Sequence, residues 1–180
     1  MAGVVRDWRQ QLQETIPAFF APRPGARRSG PCTPACGEGW CCVVDRLCVR
    51  IASTLEEGET FRFESIEQRD GALRVRWGGR LSAASEAAVR TAVDLAEARS
   101  VSVCELCGAR GKLFRAEDVL ATRCAEHAEG VPARSPGMEN VHLIQVTVKG
   151  RLRVVVGARY HFDTDAFVEI DDVATLRAEA

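Results

Sequence analysis

The chain has 180 residues, 46% of them hydrophobic, and a formal net charge of −1. That length supports one sizeable core or two small ones, and the composition is that of an ordinary globular chain and not of a disordered one. A charge so near zero excludes a global electrostatic pull toward nucleic acid, anionic membrane or acidic substrate, so any such binding needs a local patch.

The first residues, MAGVVRDWRQ, lack the basic start and apolar run of a secretory signal, and no stretch approaches the roughly 18 apolar residues of a membrane span. A cytoplasmic location is expected. There, the eight cysteines favour metal ligands and buried thiols over a disulfide framework.

In chain order, Val5, Trp8, Leu12 and Ile16 recur at helical spacing and predict an amphipathic helix that ends before Pro17 and Pro22. APRPGARRSGP follows as a linker. Gly37, Gly39 and Trp40 lead into a second helix, whose stripe of Cys41, Val44, Leu47, Cys48, Ile51 and Leu55 should face a core. From Thr60 the period changes to two. FRFESIEQ, the RDG turn and ALRVRWGG predict a β-hairpin with Leu73, Val75 and Trp77 on the buried face and Arg74 and Arg76 on the wet one. A third helix, over about residues 82–99, carries Val89, Ala92, Val93 and Ala96 on one stripe.

That helix delivers the chain to its most specific motif. Cys104-x2-Cys107 and Cys124-x2-His127 are two chelating pairs separated by 16 residues, enough to close a tetrahedral N/S site around one structural ion, for which zinc is the expected metal. Gly108 suits a knuckle turn just after Cys107, Gly111 makes a second turn, and Val119 and Leu120 read as a return strand. RCAEHAEG should then begin a short helix carrying Cys124 and His127, an order that resembles a treble-clef finger.

After a linker, GVPARSPGMEN, the hairpin pattern returns in VHLIQVTV, a KG turn and RLRVVV, where Arg151 and Arg153 alternate with Leu152, Val154 and Val156. The acidic DTDAFVEIDD lacks the glycine and spacing of an EF-hand loop and reads as a helix N-terminus with a solvated face. The expected class is α+β: helices packed on small antiparallel β-hairpins or sheets with an inserted treble-clef-like zinc finger. Its expected units are an N-terminal helix and linker (1–30), a helix, hairpin and helix region (31–100), the finger (101–130) and a C-terminal β-hairpin module (131–180).

CGEGWCCVVDRLCVRI, the strand pair with its GALR turn, the Ala-rich helix, CELCGARG and RCAEHA together resemble a family of uncharacterised small bacterial and prophage-associated proteins, over about residues 31–130. The markers are the GEGW turn and the Cys-x2-Cys, Cys-x2-His finger. The resemblance implies no established activity; an anti-defence, immunity or regulatory role fits it. The doubled Cys41 and Cys42 depart from its pattern, and the segment after Met138 lies outside it.

Other sites have competing readings. Cys32-x3-Cys36 is a possible half-site for a second metal, needing partners from Cys42, His142 or His161, whereas Cys41 and Cys48 read as core thiols. Cys104-x2-Cys107 is also a dithiol redox spacing, but thiolates committed to a metal are not free nucleophiles. A metal-dependent nuclease needs an open metal position and a general base, and His127 is already used as a ligand. Arg74, Arg76 and Arg80, with Arg151 and Arg153, offer a phosphate-binding face; the plainer reading is a wet strand face with Glu64 as a ready partner. The favoured function is a non-enzymatic, zinc-stabilised protein that binds a protein partner, with nucleic-acid binding as the alternative.

Overall fold

A computed structural model describes residues 7–22, 30–134, 138, 140–148 and 152–170. Val5, Arg151 and the part of the first linker at 23–29 lie outside the described residues.

The first helix, α1 (Trp8–Thr15), starts where the Asp7 carboxylate accepts from the Arg9 amide at 3.1 Å. It stops at Ile16, because Pro17 cannot continue the ladder but can open a new turn, α2 (Pro17–Phe20). That turn drives Phe19 and Phe20 into an aromatic cluster with Phe61 and Phe63, Phe19 and Phe61 having ring centroids 4.9 Å apart. A single 3₁₀ turn (Glu38–Trp40) then leads directly into α3 (Cys41–Thr54). Val43, Val44, Leu47, Cys48 and Ile51 are its buried stripe, and it packs on α4 (Ala83–Ser100) through Val89, Ala92, Val93 and Ala96. Ser82 caps α4 by accepting from the Ser85 amide at 3.1 Å.

Strands β1 (Thr60–Arg69) and β2 (Ala72–Arg80) form an antiparallel pair against these helices. Phe61 and Phe63 point inward, and strict alternation would then turn Ser65 into the core. A bulge between Phe63 and Ser65 resets the phase so that Ile66 is buried instead. Both edges of this two-stranded sheet are satisfied by other parts of the chain. Along β2, Ser100 Oγ accepts from the Leu73 amide at 2.9 Å and the Glu97 carboxylate accepts from the Val75 amide at 3.1 Å. Along β1, the Ala35 amide donates to the Ile66 carbonyl and the Ala35 carbonyl accepts from Gln68. Side chains and one loop residue thus replace the neighbouring strands that an exposed edge would otherwise recruit.

Two further sheets complete the α+β fold. One holds β3 (Lys112–Ala116), β4 (Val119–Arg123) and β5 (Val131–Pro132) in the order β4-β3-β5. The other holds β6 (Val141–Val148), β7 (Leu152–His161) and β8 (Ala166–Glu169) in the order β6-β7-β8, with β6 and β7 against α4. All strand pairings within the three sheets are antiparallel.

Three local expectations need correction. Cys124 to His127 is a turn and not the start of a helix, so the treble-clef order ends at its hairpin. The stretch read as a linker supplies β5, where Pro132 sits opposite Phe114 at the edge that needs no further donor. The acidic segment read as a helix start forms β8, which pairs with β7 through Ala158, Arg159, Tyr160 and His161. Local acidity suggested a helix N-terminus; the open edge of β7 offers a ladder of hydrogen bonds instead.

Candidate metal centre

Cys104, Cys107, Cys124 and His127 come together, their ligand atoms all within 4.8 Å of one another. Cys107 Sγ lies 3.7 Å from Cys124 Sγ, and His127 Nδ1 lies 3.7 Å from Cys104 Sγ and 3.2 Å from Cys124 Sγ. A tetrahedral ion with bonds of about 2.3 Å to sulfur and about 2.0 Å to nitrogen would separate two sulfurs by about 3.8 Å and a sulfur from a nitrogen by about 3.5 Å. The donor set and its spacing are therefore compatible with one metal ion.

Local backbone geometry builds the cluster. In the first knuckle the Gly108 amide donates to the Cys104 carbonyl at 2.9 Å and the Cys104 amide to Ala109 at 2.7 Å. Gly108 holds φ near +78°, a conformation that favours glycine. The second knuckle closes with the His127 amide donating to the Cys124 carbonyl at 3.2 Å. Burial disfavours a thiolate at Cys104, but backbone amides of Cys107, Cys124 and Leu106 outweigh it and bring the thiol down to about 6. At Cys107 the Ala109 amide favours the thiolate, yet burial and the neighbouring thiols prevail and push the thiol up. The knuckle thus favours the thiolate at Cys104 and disfavours it at Cys107, where binding of a metal would release a proton to solvent.

The GEGW sequence clamps this knuckle onto the body of the protein. The Gly39 amide donates to the Glu105 carbonyl at 2.8 Å, the Gly37 amide to the Glu105 carboxylate at 3.1 Å, and the fully buried Trp40 indole to the Val103 carbonyl at 2.8 Å. A Cβ on Gly37 would fall 2.3 Å from the Glu105 carbonyl oxygen, and one on Gly39 would fall 2.2 Å from that of Cys104. Both positions require the absent side chain. Glu105 also accepts from Arg123 at 3.2 Å, tying the knuckle to β4. From the other side, Thr122 Oγ1 donates to the Gly71 carbonyl at the tip of the β1–β2 hairpin, at 2.6 Å. Sequence reasoning found the GEGW turn and the ligand pairs separately. It missed Glu105, which joins them, because nothing local marks one glutamate among many.

The other candidate residues are not gathered. Among the described residues, the cluster at Cys104, Cys107, Cys124 and His127 is the one group of three or more side chains suited to a metal. Cys32 and Cys36 gain no partners from Cys42, His142 or His161; burial pushes the Cys32 thiol up and that of Cys36 up to about 11. Cys48 is core, as expected, whereas Cys41 is only half-buried. Arg74 and Arg76 are exposed on β2, but the partner of Arg74 is Glu97 of α4, at 2.8 Å, and not Glu64. Glu64 lies at the bulge and approaches Arg62 at 3.6 Å. Arg153 stands opposite Thr147 in the β6–β7 register, in a different sheet from Arg74.

A second polar centre was not foreseen. Asp165, buried in the turn before β8 with φ near +51°, receives Arg50 at 2.7 Å, Arg46 at 3.1 Å, Arg99 at 3.5 Å and the Tyr160 hydroxyl. Burial would raise this carboxyl; the Tyr160 hydroxyl and the guanidiniums of Arg50 and Arg99 overcome it and hold the group below the ordinary aspartate range. The arginines come from α3 and α4, so this carboxylate pins the C-terminal sheet to both helices. Arg99 and Arg110 also cover the Phe162 ring, at 3.9 and 3.8 Å from its centroid.

Comparison with known proteins adds no relative: no protein-family model, curated protein or solved structure matches the chain. The GEGW turn and the two ligand pairs are joined by this structure in one clamp. Among the described residues, no helix is long and apolar enough to cross a membrane.

Proposed function

We propose that the chain is a zinc-stabilised, non-enzymatic, cytoplasmic protein whose metal-folded finger docks a protein partner. Three thiolates and one imidazole at tetrahedral spacing favour zinc over harder ions. Four protein ligands fill its coordination sphere and leave no open position for a substrate or an activated water, which argues for a structural ion. Two ligand-bearing turns over a three-stranded sheet form a zinc-ribbon-like unit in this reading.

The observation that carries the protein-binding reading is the outer face of the finger. Leu106 and Val119 are 51% and 64% exposed there, beside a cavity of about 500 Å³ whose wall includes Phe114, Glu117 and Glu129. Exposed apolar side chains of the knuckle and of β4 that gather on one cavity mark an interaction surface. Arg123 also lines it but is engaged by Glu105, so the Glu117 and Glu129 carboxylates repel phosphate and suit a partner segment with both apolar and basic side chains. On β2, the Arg74 charge is already engaged by Glu97, which weakens the nucleic-acid alternative. An anti-defence, immunity or regulatory role rests on the family resemblance alone.

A photo-crosslinking residue at position 119, expressed in the native host, is expected to capture a protein partner in the zinc-loaded chain and to lose it when Leu106→Glu is added. The same protein is expected to bind neither DNA nor RNA at low salt. Salt-sensitive nucleic-acid binding that Arg74→Ala or Arg153→Ala flattens, by about one unit of slope per lost phosphate contact, would overturn the protein-binding reading.

A further inference from the structure

We propose that Cys41 and Cys42 form a second, open chelate for a thiophilic divalent ion of the zinc or cadmium class. Their sulfurs lie 3.7 Å apart, the same separation as Cys107 and Cys124 in the finger and close to the edge of about 3.8 Å that a tetrahedral ion demands. Consecutive residues of a helix diverge by about 100° around its axis, so this convergence depends on the two side chains turning toward each other.

The surroundings separate this pair from the other cysteines. Cys36 and Cys48 are buried, and burial pushes their thiols up to about 11 and 12; such groups serve packing. Cys42 is exposed and Cys41 half-buried, so core packing accounts for neither as it does for Cys48. Both lie on the rim of a cavity of about 480 Å³ between α1 and α3, with Trp8 and Leu12 on one wall and the carboxylates of Glu14 and Asp45 nearby. They occupy the first turn of α3, where the Cys41 amide already donates to the Glu38 carbonyl and where burial, the neighbouring Cys42 thiol and the Glu38 carboxylate push the Cys41 thiol up, so the chelate forms as a metal ion displaces the thiol protons to solvent. An ion entering this cavity would take two thiolates from the protein, leaving its remaining positions to water. Binding there is therefore weaker than at the four-ligand finger, and the ion stays accessible to an outside ligand.

The test is a zinc titration of the reduced, metal-free full chain against a chromophoric chelator. The wild-type chain is expected to take one tight equivalent and one weaker one. Cys104→Ser should remove the tight equivalent, and Cys42→Ser the weaker one alone, with an unchanged circular dichroism spectrum because the residue is exposed. A second readout uses the zinc-loaded chain and phenylarsine oxide. The arsenic–oxygen bond breaks, two arsenic–sulfur bonds form, both thiol protons leave with the oxygen as water, and no atom changes oxidation state. Intact mass should show one phenylarsine per chain, with zinc retained, and none in Cys42→Ser. A wild-type chain that takes only one zinc, a second equivalent that survives Cys42→Ser, or an adduct that persists in that variant would overturn the proposal.

Discussion

Two three-stranded antiparallel sheets are attached to the same body of helices and hairpin, and they are held by opposite means. The finger sheet has four ligand side chains drawn from its own 24 residues (Cys104 to His127) and leaves Leu106, Val119 and Val131 exposed. The C-terminal sheet also leaves Leu143 and Val168 exposed, but it buries Ala158 and Tyr160 and is fastened by one carboxylate to arginines of α3 and α4. On the proposed reading the first is a local assembly that needs an ion to be stable; the second, among the described residues, is held through its contacts with the body. A metal substitutes for a core that so short a segment cannot build. A buried carboxylate supplies orientation, and it is costly to disturb because charges would be left unpaired out of water.

The largest expected effect comes from metal removal. A structural zinc contributes roughly 10 to 16 kcal/mol in small finger domains, so chelation or Cys104→Ser should abolish hydrogen-exchange protection of the finger. The loss should spread to Gly39 and Trp40, whose donors need the Glu105 and Val103 carbonyls, while β6–β8 stay protected. Protection that persists in the finger after complete metal removal would break the distinction between the two sheets.

Asp165→Asn probes the other attachment. Asparagine tolerates the positive φ of this turn, so the variant removes charge without straining the backbone. Leaving Arg50 and Arg99 without their anion should cost about 3 to 5 kcal/mol. Urea denaturation measures the loss, and exchange should rise in β7 and β8 with metal content unchanged.

Acid should act on the same sheet. His142 on β6 is held down at about 4, first by burial and then by the nearby Arg134 and Arg74 charges. A depressed pKa means the unfolded chain binds the proton first. Its contribution is complete above the ordinary histidine value of about 6.5 and is lost as pH falls toward 4, by up to about 3 kcal/mol. Asp165, also depressed, adds a further loss below the ordinary aspartate value of about 3.9. Burial raises Asp94 to about 6, which opposes the His142 effect, so the clean measurement is the difference in Tm between wild type and His142→Phe across a pH series: between pH 6.5 and 4 wild type should lose stability relative to the variant.

Smaller effects follow at single contacts. Gly39→Ala places a methyl against the Cys104 carbonyl and should cost about 1 to 3 kcal/mol, read as weaker zinc retention and a lower Tm. Arg74→Ala removes a half-exposed ion pair with Glu97 and should change stability by less than about 1 kcal/mol. A larger loss there would mean that the capping of β2 by Glu97 depends on the guanidinium.

By itself the sequence determined what depends on near neighbours. The candidate metal ligands are chelating pairs with two residues between their members, on either side of a short hairpin, α3 and α4 show their buried stripes through periodicity, and the hairpins show alternation and a turn. The α+β class follows from those elements. Tertiary structure decided what depends on distance along the chain. The glycines of GEGW are explained only by the backbone of Cys104 and Glu105, more than 60 residues on. Asp165 becomes a centre only when α3, with Arg50 and Arg46 lying 115 and 119 residues away, and α4, with Arg99, bring arginines to it. β8 is a strand because β7 leaves it an open edge, and Cys41 and Cys48 share a helical stripe yet differ in burial because α1 does not close over the start of α3. Periodicity and spacing record forces within a turn or two of backbone, whereas steric exclusion between distant carbonyls and the pairing of buried charges leave no period to read.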